Sequence, residues 1–581
     1  MKIVKNMLCL CLIIAVCTSC HGRHSGVSEK NRSRYDQFIT VDVYDYLANY
    51  QGMQSGWFAK EIKDRFNMEL NIIAPNVYGS GDALFETRSA AGNLGDLIIT
   101  GTEGGRMDQM ISSGLMYDIS DLIKDREHLR KYYDVIESMN KKVTEKGIYG
   151  IPSEISEQSP QTSNDGIEPL VAPYVRWDAY SAVGYPKMET LEDYLDVMQK
   201  MKKQIPRIDS GKETYPISLF KDWDDNMLVA AKNFASLYGY IEQGFTLSKA
   251  DGSDIQDITD PAGIYVRVLH FLFEANQRGL VDPESTTQNY NMLSRKYMDG
   301  QILTSLWSYQ SQSVYNTEEN QSAGIGFMPA FIEDSTPLSY GCYSQGNAKT
   351  IIGVGKNTSD PERLVDFIDW LYSPEGMEIA AASNHGIGPE GLTWEKQGDK
   401  AVFTEFGIKA LAGENPELPD TWGGGHWSDG ISGLNFKPLA MVDTDPNTGE
   451  PYLADLWTDA LESRNSKLIQ DWRDKYHAKT SIEFLVNKNA LAVATGSSYI
   501  APKESQDIAT IRRQCKPIIT DYSWKMIFAS TEKEFYSLLQ KMQDTAYGMG
   551  YQKVIASDTK NVKEEMQLRQ QEIQQYQRSQ D

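Results

Sequence analysis

Cysteine is scarce in this chain of 581 residues, with six in all, and four of them fall within the first twenty positions. The two that remain, Cys342 and Cys515, fit either one disulfide or two buried thiols, and no metal-ligand spacing uses them. Positive charge is also short: 57 Lys and Arg stand against 80 Asp and Glu, a net charge of −23 that argues against nucleic acid as a partner and for a neutral or weakly charged ligand. Histidine numbers only seven, which leaves little for a histidine-based active site. No G-x-x-x-x-G-K-[ST], H-E-x-x-H or G-x-S-x-G motif is present, and beyond the N-terminus no stretch approaches 18 apolar residues. What the chain does have is a 40% hydrophobic and 10% aromatic composition, enough for two to four domains or lobes with real cores and incompatible with a disordered tail or a collagen-like fibre. Its 32 Tyr and 11 Trp outnumber its 18 Phe, and their apolar faces with polar edges suit wet, concave binding surfaces.

The N-terminus reads as an export signal. Lys2 and Lys5 precede an apolar run from Met7 to Val16, too short for a permanent span, and the run ends in Cys17-Thr18-Ser19-Cys20. That ending resembles the lipobox of bacterial lipoproteins, with Cys17 where Leu is usual. The resemblance implies a signal peptide over 1–19, acylation of Cys20, a flexible tether over 20–34, and a soluble body held at the outer face of the cell membrane.

From Tyr35 onward strands and helices alternate. Phe38 to Tyr44, Met68 to Ile73 and Gly95 to Thr100 read as strands, with helices around Trp57 to Phe66, Leu84 to Ala91 and Met107 to Ser113. This pattern predicts an α/β fold with a parallel sheet whose ligand lies beyond the carboxyl ends of the strands. The C-terminal stretch from Lys560 to Asp581 reads as a surface helix fraying into a polar tail.

Five passages in order then resemble the extracellular solute-binding proteins of ABC importers. They are Gly147-Ile148-Tyr149-Gly150-Ile151-Pro152; Tyr174-Val175-Arg176-Trp177-Asp178 with Thr190 to Tyr194; Tyr297 to Trp307, where Gln301 replaces the usual Lys; Gly324 to Pro329; and Ser359 to Tyr372. The length and the late helical segment are most similar to the long lipoprotein subgroup linked to carbohydrate uptake. The resemblance implies a two-lobed periplasmic-binding-protein-like fold of type II topology with a hinge and an interlobe cleft. Lobe one would comprise 35–152 plus 331–385, and lobe two 153–330 plus 386–581. It also implies no catalysis and no cofactor, a monomer, an oligosaccharide ligand, and ABC transporter permease subunits as partners.

A sugar presents an apolar C–H face and a ring of hydroxyls, so aromatic planes beside carboxylates and amides complement it. Candidates at strand ends and crossings are Tyr46, Asn49, Thr102, Glu103, Glu154, Trp223 with Asp224, Trp307 with Tyr309, Tyr343 and Gln345, and the glycine-rich loop carrying Trp422 and Trp427. Trp57, Trp177 and Trp370, on helical patterns, are assigned to packing. Asp443 to Glu450 is similar to the start of a calcium loop, but Pro446 and a late Gly449 favour a plain turn. A binder of peptides on the same fold, or a surface glycosidase with paired carboxylates, remains open from sequence.

Overall fold

The computed structural model describes residues 34–580 apart from 76, 78–80 and 144; the expected signal peptide, Cys20 and the tether through residue 33 lie outside the described residues.

The first lobe is built on a six-stranded sheet in the order Gly52–Met53, Met68–Ile73, Ile39–Asp45, Leu97–Gly101, Asn347–Val354, Ile151–Ser153. Ile39–Asp45 pairs in parallel with both neighbours, whereas Asn347–Val354 runs antiparallel to both of its own. The sheet is covered on both faces, which is why Leu97-Ile98-Ile99 is a continuous apolar run rather than an alternating one. Val41, Val43, Leu97 and Ile99 join one core cluster with Trp57 and Ile62, while Tyr44, Ile98 and Ile351 join a second cluster with Phe85 and Met110. The returning strand lies so close that a Cβ on Gly355 would stand 1.8 Å from the Gly95 carbonyl oxygen, so this position accepts only glycine. Because the central strands are parallel and in register, Tyr46 and the Thr102-Glu103 pair emerge on the same rim.

The second lobe centres on Tyr174–Arg176, flanked antiparallel by Thr304–Ser305 and Phe327–Pro329. Helices Asp193–Gln204, Val229–Ser236, Ile264–Gln277, Gln506–Ile527 and Glu532–Gly548 contribute to its core. The last of these begins with a reciprocal cap: Thr531 accepts from the Glu534 amide, and Glu534 accepts from the Ser530 amide at 2.8 Å.

The chain passes between the cores over 155–171, 332–348 and 452–468. The third passage differs from expectation. The sequence suggested that everything after 386 belongs to lobe two, yet Leu392, Leu418, Leu434, Phe436 and Met441 lie in the core that holds Trp57, and only from Leu468 does the chain rejoin the other core. The cause is an apolar surface on helix Gly56–Phe66 that the 386–452 segment covers.

The C-terminal region also departs from its reading. Instead of fraying, helix Tyr551–Gln580 is continuous; Tyr551, Val554 and Val562 are buried, Asp558 pairs with Arg512, and Glu572 accepts from the Ser498 amide at 3.0 Å. Cys342 and Cys515 are free thiols buried apart, and burial pushes the Cys342 thiol up to about 12.

Candidate functional site

The strand Thr304–Ser305 ends in a turn closed by Ser305 Oγ, which accepts from the Trp307 amide at 3.1 Å and launches helix Ser308–Tyr315. Around that turn four aromatic rings meet. Trp307 lies 6.3 Å from Trp223 at 72° and 6.0 Å from Tyr309 at 31°, and Trp223 lies 4.5 Å from Tyr290 at 30°. Trp307 is only 8% exposed, but Trp223 and Tyr309 show 41% and 40% of their surface to water. Large exposed rings held in mutual contact are a platform, stiff enough that little conformational entropy is lost when a ligand lands. The loop bearing Trp223 is pinned from below: Asp224 accepts from the Val229 amide at 2.9 Å and from Trp524 Nε1 at 2.7 Å, and burial pushes its carboxyl up to about 6.

Ser308, next to Trp307, also lines a cavity of about 1000 Å³. Gln312, Met328 and Trp472 form one wall; the other is formed by Phe403, from the segment that packs on lobe one, and by Leu453 and Asp455 of the third crossing. This volume is at the upper end of the ~300–1000 Å³ usual for small-molecule sites, so it suits a chain of several rings better than a single one. Its polar groups are already ordered. Asp455 lies between His385 Nδ1, at 3.3 Å, and the Arg464 guanidinium. Burial works against its charge, but these two neighbours hold its carboxyl below the usual range and Asp455 in turn raises His385. Glu168 accepts from Tyr174 Oη at 3.1 Å and from Gln312 Nε2 at 3.1 Å, while loss of water raises its carboxyl.

The residue that leads into the first crossing is strained. Glu154 has φ +49°, in the left-handed region that costs a side chain with a Cβ. Its conformation is fixed by Asn347 Nδ2 and Asn164 Nδ2 donating to the carboxylate at 2.9 and 3.3 Å, and by its amide donating to Lys437 O at 2.8 Å. Ile155 bridges to both Tyr343 and Leu439, so three crossing or lobe-one strands meet at one point.

The profile described as bacterial extracellular solute-binding protein matches residues 57–389, more than half of the chain. The chain belongs to this family. No curated protein matches the solute-binding protein in sequence. Among solved structures it is similar to the HMO-binding ABC-transporter-associated solute-binding protein of Bifidobacterium longum infantis, at 12% identity and TM-score 0.56 over 91% of this chain and 99% of that one. It is also similar to the S. pneumoniae ABC-transporter substrate-binding protein FusA in complex with kestose, at 13% and 0.57 over 90% and 99%. A third likeness is to the alginate-binding protein AlgQ2 without calcium ion, at 13% and 0.55 over 92% and 99%. The fold is thus the two-lobed periplasmic-binding-protein-like one.

In this solute-binding protein the expected site residues disperse. Trp223, Trp307 and Tyr309 come together as the platform. Tyr46, Asn49 and Glu103 remain accessible on the lobe-one rim, with Glu103 3.7 Å from Lys349. Glu154, Tyr343 and Gln345 lie at the crossings, and Gln345 accepts from Gln575 of the C-terminal helix at 3.4 Å. Three residues are occupied elsewhere. Thr102 is buried and donates to Ala348 O at 2.6 Å, and Asp224 is the pin described above. Trp427 lies inside the lobe-one core, stacked on Trp57 at 4.8 Å and 7°, with Trp57 Nε1 donating to its carbonyl at 3.1 Å. The glycines that suggested an open loop, Gly423 to Gly425, all take positive φ and serve instead to turn the chain back so that this indole is buried. Trp422 is half-buried against the same core. Trp57, Trp177 and Trp370 are buried, as packing residues should be. The Asp443–Glu450 segment is a turn: Asp445 accepts from the Asn447 amide at 2.9 Å, and Asp443 accepts from Ser156 and the Glu157 amide. Among the described residues no group of three or more His, Cys, Asp or Glu is placed to hold a metal.

None of the thirteen expected ligand residues lines the large cavity itself. Tyr290, Gln312, Phe403 and Asp455 escaped sequence reading because they come from four distant segments. Glu168 had a signal: it ends the run Asn164-Asp165-Gly166-Ile167-Glu168, rich in acid and amide groups, within the first crossing.

Proposed function

We propose that the protein is the receptor of an ABC importer, anchored by lipid on Cys20 at the outer face of the membrane, which captures an oligosaccharide between its lobes and hands it to the permease subunits. The observation that carries this reading is a cluster of Trp223, Tyr290, Trp307 and Tyr309 joined through Ser308 to a ~1000 Å³ cavity, which Ser308 lines together with residues of the 403–414 and 453–481 segments. Aromatic faces take the C–H surface of pyranose or furanose rings, and Gln312, Asp455 and their neighbours meet the hydroxyls. Solved structures of similar fold, one named as HMO-binding and one in complex with kestose, support the solute class.

Lobe one in this reading is 35–152 with 348–452, lobe two is 171–332 with 468–555, and the crossings between them absorb the rotation of closure. The strained Glu154, held by amides from two other segments, lies where that rotation would be felt. The protein works by binding alone, with no step of bond cleavage and no cofactor, and as a monomer.

Calorimetric titration with a panel of oligosaccharides and, separately, of peptides tests the proposal. Micromolar or tighter binding of glycans recovered unchanged supports it. Affinity for peptides only, or release of shortened products, overturns it.

A further inference from the structure

Among the described residues, two cations that line the cavity, the half-buried Arg473 and the exposed Lys479, have no carboxylate partner. Arg473, on helix Lys467–Tyr476, lines the cavity beside Arg464. Its guanidinium donates only to main-chain carbonyls, Leu461 O at 2.8 Å through Nη2 and Lys479 O at 3.4 Å through Nε, and among the described residues it forms no ion pair. The other charges around it are accounted for. Asp455 is shared by Arg464 and His385, and Glu168 is bonded to Tyr174 and Gln312. Glu318, Glu414, Asp459 and Lys479 are exposed at the rim, where water screens them. Burial and the Arg464 charge both push the Arg473 guanidinium down from its ordinary range, the mark of a cation that an anion would relieve. Glu483, which answers it from a distance, is turned to the Lys479 amide at 2.7 Å.

We infer that Arg473, backed by Arg464, is an anion-recognition subsite within the cleft, and that the captured oligosaccharide bears a carboxylate or sulfate substituent. This assignment rests on the oligosaccharide reading above and narrows it. A guanidinium whose donors form a planar fork recognises such groups through paired, charge-assisted hydrogen bonds, and its backbone bonds hold the fork in place. The chain's overall −23 is no obstacle, because the acids that line this cavity are either paired inside or solvated outside.

The experiment uses the whole protein and a panel of labelled oligosaccharides that includes uronate-bearing, sulfated and neutral members. The tightest binder is then compared with its own neutralised counterpart, carboxyl-reduced or desulfated, which tells the two anions apart. The inference expects the acidic glycan to bind at least about tenfold tighter than the counterpart, as charge-assisted hydrogen bonds allow, and expects R473Q to shrink that ratio to about twofold or less. R473K, which keeps the charge but not the fork, should fall between. If the best binders are neutral, or if neutralisation leaves affinity unchanged, the anion subsite is overturned while capture of an oligosaccharide stands. If no glycan binds, both fall. The wild-type ratio decides the matter even if R473Q does not fold.

Discussion

Two clusters of tryptophan in this molecule are made of the same residue type and are put to opposite uses. In lobe one, Trp57 and Trp427 lie parallel at 4.8 Å, locked by an indole-to-carbonyl hydrogen bond and hidden from water. In lobe two, Trp223 and Trp307 meet edge to face at 6.3 Å with Tyr290 and Tyr309 alongside; Trp307 is as buried as Trp427, but Trp223 and Tyr309 leave broad faces open. The first arrangement satisfies its rings within the protein, so its contribution is to stability. The second leaves surface unsatisfied, and a contiguous exposed aromatic patch beside a cavity is held in readiness for a partner.

The largest effect expected from breaking this contrast is in the core. W427A leaves a cavity against Trp57 and should lower unfolding stability by about 3–5 kcal/mol in a urea titration. A next test lies in the same lobe, where burial pushes the Glu378 carboxyl up to about 8. A carboxyl raised on folding binds a proton that the unfolded chain does not, so stability falls as pH rises from about 4.5 to about 8, by about 1.4 kcal/mol for each pH unit in that range; E378Q should flatten that slope. W307A and W223A should each weaken glycan binding about tenfold, or ~1.4 kcal/mol, in calorimetry. W223A, whose ring is 41% exposed, should cost less than about 1 kcal/mol of stability. The smallest effect belongs to D224N, which keeps an acceptor for the Val229 amide; it should change the melting temperature by a few degrees at most and reduce affinity only where the Trp223 loop loosens. A binding loss in W427A at temperatures where it stays folded would erase the distinction between the two clusters.

The contrast also explains what was legible in the sequence. Lobe one's sheet could be read because its strands are local, continuous apolar runs such as Leu97-Ile98-Ile99, and Trp307 could be placed because it ends a strand inside a recognisable passage. Trp427 could not, since a glycine-rich loop suggests mobility, and only the distant face of helix Gly56–Phe66 shows where that loop turns. The same non-locality moved the 386–452 segment to lobe one and hid the cavity, whose walls come from stretches near 166, 310, 400, 455 and 473. Composition suggested an uncharged ligand because it counts every carboxylate alike. Once Asp455 and Glu168 are seen to be engaged, Arg473 becomes the charge that a ligand meets.

Hydrogen exchange, with and without a glycan bound by the protein, addresses capture between lobes most directly. Added ligand should slow exchange together in 304–312, which carries the platform, and in 403–412 and 453–464, which form the facing wall. Protection confined to one lobe, or located away from both segments, would contradict the account.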